Sequence, residues 1–324
     1  MSVYVIKRTL MMVPMMIGIT MISFLIIHLA PGDPTEMLTD LNPHSSAESL
    51  KKLRELYNLD KPLAFQYFLW VKDIAILDFG TSFSQDARPV IDKISERIPI
   101  TLLINALSLI IIIVIAIPIG VVSATKQYSL FDKASSIFVF FGFSMPTFWL
   151  ALLLMILFGV ILGWFPISGI TSFNHDQLTP FYKLVDYVKH LFMPVLVSAL
   201  TGLAGLSRFT RQNMLEVILQ DYIVTARAKG LSERRVIYKH AMKNALLPVI
   251  TIMALSLPGL IGGSVIFESI YSIPGMGQLF FQSVMSRDYP VIMGVLVIGS
   301  FLTLVANLLA DITYAFVDPR ITYD

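Results

Sequence analysis

Cysteine is absent from the 324 residues, and charged residues make up only 14% of them. Without cysteine the chain has no disulfide framework, no thiolate nucleophile and no thiolate metal site. The net charge of +2 is too small to indicate a nucleic-acid partner, and no Lys/Arg cluster is interleaved with aromatic residues as a nucleic-acid groove requires. A Gly-x-x-x-x-Gly-Lys-Ser/Thr motif is also missing, so we do not expect the chain to bind ATP phosphates itself.

Apolar residues, by contrast, are abundant. They form 56% of the chain, whereas soluble domains contain about 45–50% apolar and about 25% charged residues. A chain of this length cannot bury so many apolar side chains in one soluble core, so most of them must face lipid. The composition therefore predicts an integral membrane protein.

Six stretches are long enough to span a bilayer and carry no Asp, Glu, Lys or Arg except Asp311 near the end of the sixth, which predicts an all-α membrane protein with six transmembrane helices. One charged side chain at the bilayer centre costs about 2.5–3.5 kcal/mol, so the absence of charge from the centres of these stretches is informative. The first stretch is too long for a signal-peptide core, and we expect it to be retained. The stretches are Leu10–Ala30, 98–125, 134–163, His190–Ser207, Asn244–Phe267 and 289–316.

Two of these stretches have unusual features. Pro146 lies inside the long third stretch and predicts a bend there. The fourth is the shortest and carries Gly202 and Gly205, which weaken a lone helix. Ser198 and Gly202 are four apart, a spacing of small residues that lets helix backbones approach closely, so we expect the fourth helix to pack inside the bundle.

The distribution of basic residues predicts the orientation. With both termini inside, the inner segments carry thirteen Lys and Arg residues and the two short outer segments carry three. Long outer segments are translocated largely regardless of charge, so residues 31–97 are left out of this comparison. The chain then divides into 1–30 (N-terminus and first helix), 31–97 (a partly helical outer segment, with candidate helices at Ala47–Asn58 and Pro62–Leu77) and 98–324 (the remaining five helices).

The inner segment 208–243 is the most charged part of the chain and is typical of a helix-turn-helix. Asp221 is a candidate cap for a first helix that ends at Gly230, and Ser232 is a candidate cap for a second. Both helices have an apolar side, formed by Ile223, Ala226 and Leu231 in the first and by Val236, Ile237 and Ala241 in the second. The ordinary interpretation of such a loop in a membrane protein is a stop-transfer segment whose arginines contact lipid phosphates.

The residue pattern favours a more specific interpretation. The run from Thr225 to Gly230, followed by His240, Asn244-Ala245 and Pro248, resembles the cytoplasmic loop of ABC importer permeases, in their peptide/nickel branch. The loop differs from the consensus of the ABC importer permeases as a whole at its start. That consensus begins with Glu-Ala-Ala, whereas this chain has Val224-Thr225-Ala226. Further blocks similar to that branch occur in order along the chain: 30–34, 77–82, 88–90, 144–149, 163–166, Glu268, 274–277, 287–290, 308–311 and 318–320.

The resemblance implies a type I importer permease of the first-permease type. It implies that the loop is a coupling element on an ATPase subunit, through Thr225, Ala226, Arg227, Ala228, Lys229, Gly230, Leu231, Ser232, Glu233 and Arg234. The implied partners are a second homologous permease, two ABC ATPases that bind ATP and magnesium, an extracytoplasmic binding protein and the lipid bilayer. This chain would hold no cofactor and catalyse no reaction. The implied location is a bacterial or archaeal cytoplasmic membrane, and the implied cargo is peptides or related small solutes.

Glu268, Pro274, Gly275 and Gly277 are the candidate gate or binding-protein contacts at the outer end of the fifth stretch. Glu268 has two interpretations of equal weight: it orders the following loop, or it contacts the binding protein or gate. An ion-coupled secondary transporter is the alternative function, but it predicts inverted repeats and buried ionisable residues, which the sequence does not show. A membrane enzyme is the least supported class, because the sequence lacks a recognisable catalytic motif.

Overall fold

The computed structural model describes residues 2–29 and 60–317, and in these residues the secondary structure is almost entirely helical. The predicted helix Ala47–Asn58 and the blocks at 30–34 and 318–320 lie outside the described residues. The helices are α1 (Ser2–Leu29), α2 (Leu63–Ala75), α3 (Val90–Thr125), α4 (Leu130–Ser144), α5 (Thr147–Leu154), α6 (Pro180–Ile218), α7 (Asp221–Ala228), α8 (Glu233–Arg235), α9 (Met242–Ala245), α10 (Leu247–Leu255), α11 (Val265–Ile270), α12 (Met276–Met285) and α13 (Tyr289–Val317). There are also π-helical segments at Met155–Ile161 and Val236–Ala241 and 3₁₀ turns at His175–Gln177 and Leu257–Leu260.

Four of these helices, α1, α3, α6 and α13, are each long and apolar enough to cross a membrane unbroken. Two further pairs meet the same criterion only as bent pairs: Leu130–Ser144 with Thr147–Ile161, which meet at 106°, and Leu247–Leu255 with Leu257–Ile270, which meet at 42°. The all-α membrane architecture is therefore confirmed, with four unbroken spans, or six if each bent pair is one span.

Helix contacts show that the first bent pair crosses the bilayer. Helices α3 and α6 run parallel, because their contacts advance along both helices in the same direction. The Ser108 hydroxyl donates to the Val195 carbonyl at 3.2 Å, and further towards the C-terminus of both helices a Cβ on Gly120 would lie 2.6 Å from the Thr210 Cβ. The chain leaves the end of α3 and enters the start of α6. Helix α4, helix α5 and the following π-helix must therefore return it across the membrane, which makes this pair one span.

The second bent pair also crosses. It starts beside the loop after α6, and it ends where Glu268 accepts a hydrogen bond from Thr101, near the opposite end of α3. Helix α13 then returns, and Arg8 on α1 pairs with Asp311 on α13 at 3.2 Å. The start of α1, the end of α13 and the loop 208–243 consequently share one face of the bundle, which agrees with the predicted even number of crossings.

The prediction was wrong about the strength of the fourth span. The fourth, predicted as the weakest, is the 39-residue helix α6, and 61% of its most apolar 18-residue window is buried, more than in any other unbroken span. Its small residues serve close packing, as predicted: Gly202 lies directly against Ile112 of α3. Burial inside the bundle stabilises what Gly and Ser weaken in isolation.

The third span is bent at Pro146, as predicted, and the fifth span, predicted without a break, is also interrupted. Both breaks have identifiable causes. At Pro146 the ring fixes φ near −58° and supplies no N–H, so α4 stops and α5 starts in a new direction. In the fifth span a 3₁₀ turn containing Pro258 and Gly259 is followed by the non-helical residues 262–264. The side-chain amide of Asn105 donates to the carbonyls of Leu260 at 2.8 Å and Gly262 at 3.3 Å. These bonds satisfy backbone oxygens that the break leaves without helical partners.

Candidate coupling loop and outer-face gate

The first helix of the inner loop is α7, Asp221–Ala228. The prediction that Asp221 caps it was wrong by one position: Gln220 has the extended backbone of a cap residue, and Asp221 is the first helical residue, where its charge favours the helix N-terminus. The helix ends as predicted at Gly230, whose φ of +75° is the left-handed conformation that a residue with a Cβ adopts at a cost. The Gly230 N–H donates to the Arg227 carbonyl at 2.9 Å.

The second helix of the loop begins after Ser232, as predicted. The Ser232 side chain makes no capping hydrogen bond, but its carbonyl accepts from the N–H groups of Arg235 at 2.8 Å and Val236 at 3.0 Å. The helix then continues through the π-helical segment Val236–Ala241 into α9. The loop is thus two short helices joined at a left-handed glycine.

A small apolar core fixes this loop to the bundle. Ile223 and Ala226 of the first helix and Val236 and Ala241 of the second are buried together, as their predicted apolar sides require. The same cluster contains, from the membrane helices, Val121, Ala124 and Met214. The loop, α3 and α6 are therefore packed together through one apolar core.

The opposite side of α7 is exposed and partly apolar. Val224 is 56% exposed and Tyr222 42% exposed, and Thr225 and Ala228 are exposed on the same helix. Val224 and Ala228 are four residues apart and therefore lie on one face of the helix. Small side chains beside an exposed valine make a face that a groove on another protein can cover closely.

One cation of the loop is neutralised within it. The Arg227 guanidinium donates to the Glu233 carboxylate at 2.8 and 3.1 Å, which raises the pKa of Arg227 and lowers the pKa of Glu233. In the described part of the chain Lys229, Arg234 and Arg235 form no ion pair. On this part of the loop these three cations, unlike Arg227, are not neutralised by a neighbouring carboxylate of the described residues.

At the other face, Glu268 on α11 is 4% exposed, and its carboxylate orders the loop that follows. It accepts from the Gln278 N–H at 2.8 Å and from the Thr101 hydroxyl at 3.3 Å. The same Thr101 hydroxyl oxygen accepts from the Met276 N–H at 2.9 Å. The carboxylate therefore links α3, α11 and α12. These contacts favour the first of its two predicted roles, that of ordering the following loop.

Glycines make that arrangement possible. A Cβ on Gly275 would lie 2.5 Å from the Glu268 carboxylate, and one on Gly277 would lie 2.7 Å from the Val265 backbone nitrogen. Pro274 precedes them in the turn, where the Gly275 N–H donates to the Ile273 carbonyl at 2.8 Å. The structure thus brings Glu268, Gly275 and Gly277 into one contact cluster beside Pro274.

Comparison with known proteins assigns this architecture to a family. Residues 116–323 match the family described as binding-protein-dependent transport system inner membrane component, and residues 1–105 match its N-terminal membrane component. The chain belongs to this family. It is therefore a permease subunit of an ABC importer, and ATP hydrolysis belongs to other subunits of such a system. The predicted resemblance is confirmed, and the secondary-transporter alternative is not supported.

Three relatives resemble this permease over its whole length. It is 46% identical over 323 residues to the oligopeptide transport system permease protein AppB of Bacillus subtilis (strain 168), with 100% of both chains covered. It is 38% identical over 337 residues to the dipeptide transport system permease protein DppB of Alkalihalophilus pseudofirmus, again with 100% of both covered. It is 35% identical over 365 residues to the peptidoglycan transport system permease protein YejB of Agrobacterium fabrum, covering 100% of this chain and 99% of that one.

The permease also has a polar clasp on the face opposite the loop 208–243, which is the predicted outer face, and the sequence did not predict this clasp. Buried Ser82 donates to the buried carboxylate of Asp288, which also accepts from the Phe83 N–H at 3.0 Å. The Lys93 ammonium donates to Ser82 at 2.8 Å and pairs with Asp86 at 2.7 Å. Both Ser82 and Asp288 lie in blocks shared with the family, but nothing in their spacing of more than 200 residues indicates that they meet.

Proposed function

We propose that this permease is one half of the membrane pathway of an ATP-driven importer of di- or oligopeptides in a bacterial or archaeal cytoplasmic membrane. The names of the full-length relatives, oligopeptide and dipeptide permeases among them, support the substrate class. The complete assembly contains a second homologous permease, two ABC ATPases that bind ATP and magnesium, and an extracytoplasmic binding protein.

In this proposal the loop 208–243 receives the force. Its exposed face, with Val224, Thr225 and Ala228, docks in a groove of an ATPase, while Lys229 and Arg234 pair with acidic groups at the edge of that groove. Its buried face is continuous with α3 and α6 through the shared apolar core. Closure of the ATPases on ATP then moves these helices as a body, and the pathway switches between inward-facing and outward-facing states.

The observation that carries this assignment is the two-sided construction of α7, with Ile223 and Ala226 buried and Val224 and Ala228 exposed. Ala226 is only 8% exposed, so a bulky residue there would disturb the loop itself. Ala228 is the sharper test, because a larger side chain at this exposed position leaves the apolar core of the loop intact.

The test is co-purification of the ATPases with Ala228→Trp, together with uptake of tri-alanine by cells that carry the full assembly. We expect normal amounts of the variant in the membrane, with ATPase binding and uptake reduced at least about tenfold, since a misfitting anchor at the centre of an interface costs about 2 kcal/mol or more. The matched control is Ala64→Trp, at an exposed alanine of α2 in the outer segment. Normal ATPase binding and uptake in Ala228→Trp would reject the docking role of this face.

A further inference from the structure

Two adjoining cavities lie within the bundle, between α3, α5, α6 and the broken fifth span. The smaller, of about 230 Å³, and the larger, of about 540 Å³, share Asn105 and Ser198 in their walls. Both are bordered by breaks in membrane spans: Thr147 starts α5 after the bend at Pro146, and Ser256 and Ser264 flank the irregular segment of the fifth span.

The polar groups in these walls are almost all uncharged. Hydroxyl and amide side chains supply them: Thr101, Asn105, Ser108, Thr147, Ser198, Thr201, Ser256 and Ser264. Glu268 is the only ionisable residue in either wall, and its carboxylate already accepts hydrogen bonds from Gln278 and Thr101. The other acids buried in the described spans are also engaged elsewhere, Asp132 by Arg211 at 2.7 Å and Asp186 by His175 at 2.7 Å.

Some of these uncharged groups are free to bind a ligand. Asn105 uses its side-chain N–H₂ on the Leu260 and Gly262 carbonyls, which leaves its oxygen as an acceptor. Ser198 is half-buried, and its hydroxyl has no hydrogen-bond partner among the described residues. Donors and acceptors of this kind match the N–H and C=O groups of a peptide backbone, which are uncharged and independent of sequence.

We propose that these joined cavities are the half-site for the substrate's peptide backbone, with Ser198 and Asn105 as its contacts, and that they are neutral so that peptide side chains of either charge can pass. This inference rests on the proposed function, because it names the part of the pathway that the peptide touches. A fixed charge here would act in a medium of low dielectric, where it attracts one class of peptide and repels the other. Because the lining has no free charge, the selection of peptides by their side chains is left to other components of the importer.

The inference is tested by placing a charge where the structure has none. Ser198→Lys and Ser198→Asp are compared in the complete assembly, with uptake of Ala-Lys-Ala and Ala-Glu-Ala as the two probes. Each ratio of the two uptake rates is divided by the wild-type ratio, which cancels the preference of the binding protein. We expect Ser198→Lys to lower the relative uptake of Ala-Lys-Ala by about tenfold and Ser198→Asp to change the ratio by a similar factor in the opposite direction.

Ser136 provides the matched control. It is an exposed serine on α4 that lines neither cavity, and its Lys and Asp variants should leave the ratio at the wild-type value. If either Ser198 variant fails to reach the membrane, the same pair of substitutions at Thr201, on the wall of the smaller cavity, decides the question.

The outcomes separate the two claims. Ratios that shift in opposite directions support the neutral backbone site. Ratios that stay at the wild-type value in variants that still transport would overturn it, and so would loss of the second permease from the complex, because that face would then be a subunit contact. A wild-type assembly that imports neither tripeptide would instead reject the peptide substrate class of the proposed function.

Discussion

Glu268 shows how a single carboxylate can organise one end of a membrane bundle. It lies on α11 beside α3 and α12, and its surroundings include Thr101 of α3, Ser264 immediately before α11 and Gln278 of α12. An acid this deeply buried is costly unless it is hydrogen-bonded, so the neighbouring N–H and O–H donors are as much a part of the arrangement as the carboxylate. Gly275 and Gly277 supply the space that those short contacts need.

Replacing Glu268 should therefore destabilise this corner in a graded way. In Glu268→Ala the Gln278 N–H and the Thr101 hydroxyl lose their acceptor, and an unsatisfied buried donor costs about 1–3 kcal/mol. Glu268→Gln keeps one carbonyl acceptor and should lose less. Thermal unfolding of the two purified variants in detergent measures the difference. Equal stability of Glu268→Ala and the wild type would show that the carboxylate does not hold the loop.

Asp86 makes the outer clasp sensitive to strong acid. The hydrogen bond from Lys93, followed by that from Ser84, lowers the pKa of Asp86 from 3.8 to about 2. A lowered pKa stabilises the folded clasp above pH 3.8, and this stability is lost as the pH falls towards about 2. Because Asp86 is half exposed, we expect its pair with Lys93 to contribute less than about 1 kcal/mol.

Pepsin cleavage beside Phe83 checks this expectation in the acid range. Near pH 4 Asp86→Asn should be cut about twofold to threefold faster than the wild type. The two rates should approach each other as the pH falls to about 2, where about half of the wild-type carboxylate is already protonated. Because the variant and the wild type are digested at the same pH, the pH dependence of pepsin itself cancels from the ratio of the two rates. Equal rates at every pH would contradict a stabilising role for this carboxylate.

At the scale of elements, the parallel pair α3 and α6 is the centre of the bundle. Along their contact Gly120 and Gly202 let the two backbones approach closely, and a Cβ at Gly120 would lie 2.6 Å from the Thr210 Cβ and 2.7 Å from the Ser207 carbonyl oxygen. In lipid, where apolar helices gain little from leaving the solvent, close packing of this kind is what holds helices together.

Gly120→Ala should thus destabilise the permease, although alanine is the better helix former. Overpacking typically costs about 1–3 kcal/mol, whereas the gain in helix propensity is about 0.5–1 kcal/mol. Gly299→Ala is the matched control, because its added methyl group would meet nothing within 4 Å in α13. We expect a lower unfolding temperature in detergent for Gly120→Ala and an unchanged or slightly higher one for Gly299→Ala. An increase in both would contradict the close-packing account.

The elements also show what a single sequence can and cannot reveal. Uncharged length predicts where spans occur, because the cost of burying charge is local to each stretch. Continuity of a span is a tertiary property: Asn105 on α3 satisfies the carbonyls exposed by the break near Leu260, more than 150 positions away. The strength of α6 is tertiary too, since neighbouring helices rather than its own composition stabilise it.

The candidate sites divide in the same way. Gly230 and the apolar sides of the loop are predictable from turn chemistry and helical spacing, and the structure has them where they are expected. The sequence does not predict the Arg227–Glu233 pair, the Ser82–Asp288 clasp or the cavity at Ser198. Serines and threonines along apolar helices are common, and only the folded arrangement shows which of them face a shared space.

For the whole molecule, sidedness is the property on which the proposed function depends. The structure puts the loop, the start of α1 and the end of α13 on one face, and the basic-residue count predicts that this face is the cytoplasmic one. The lack of cysteine makes the prediction easy to test with single introduced cysteines.

In intact cells a membrane-impermeant maleimide should label Gln85→Cys on the outer loop and leave Ser232→Cys unlabelled until the cells are opened. Both positions are exposed, so access to the reagent and not burial decides the result. Labelling of Ser232→Cys in intact cells would reverse the orientation and remove the loop from the reach of any cytoplasmic ATPase.

The most direct test of the central claim is to ask what drives the bundle. The complete assembly is reconstituted in vesicles, and tri-alanine uptake is measured either with ATP and magnesium or with an imposed proton or sodium gradient and no nucleotide. Transport driven by an ATPase through the loop 208–243 predicts uptake with ATP alone, and its loss in Ala228→Trp. Uptake driven by an ion gradient without nucleotide would contradict it.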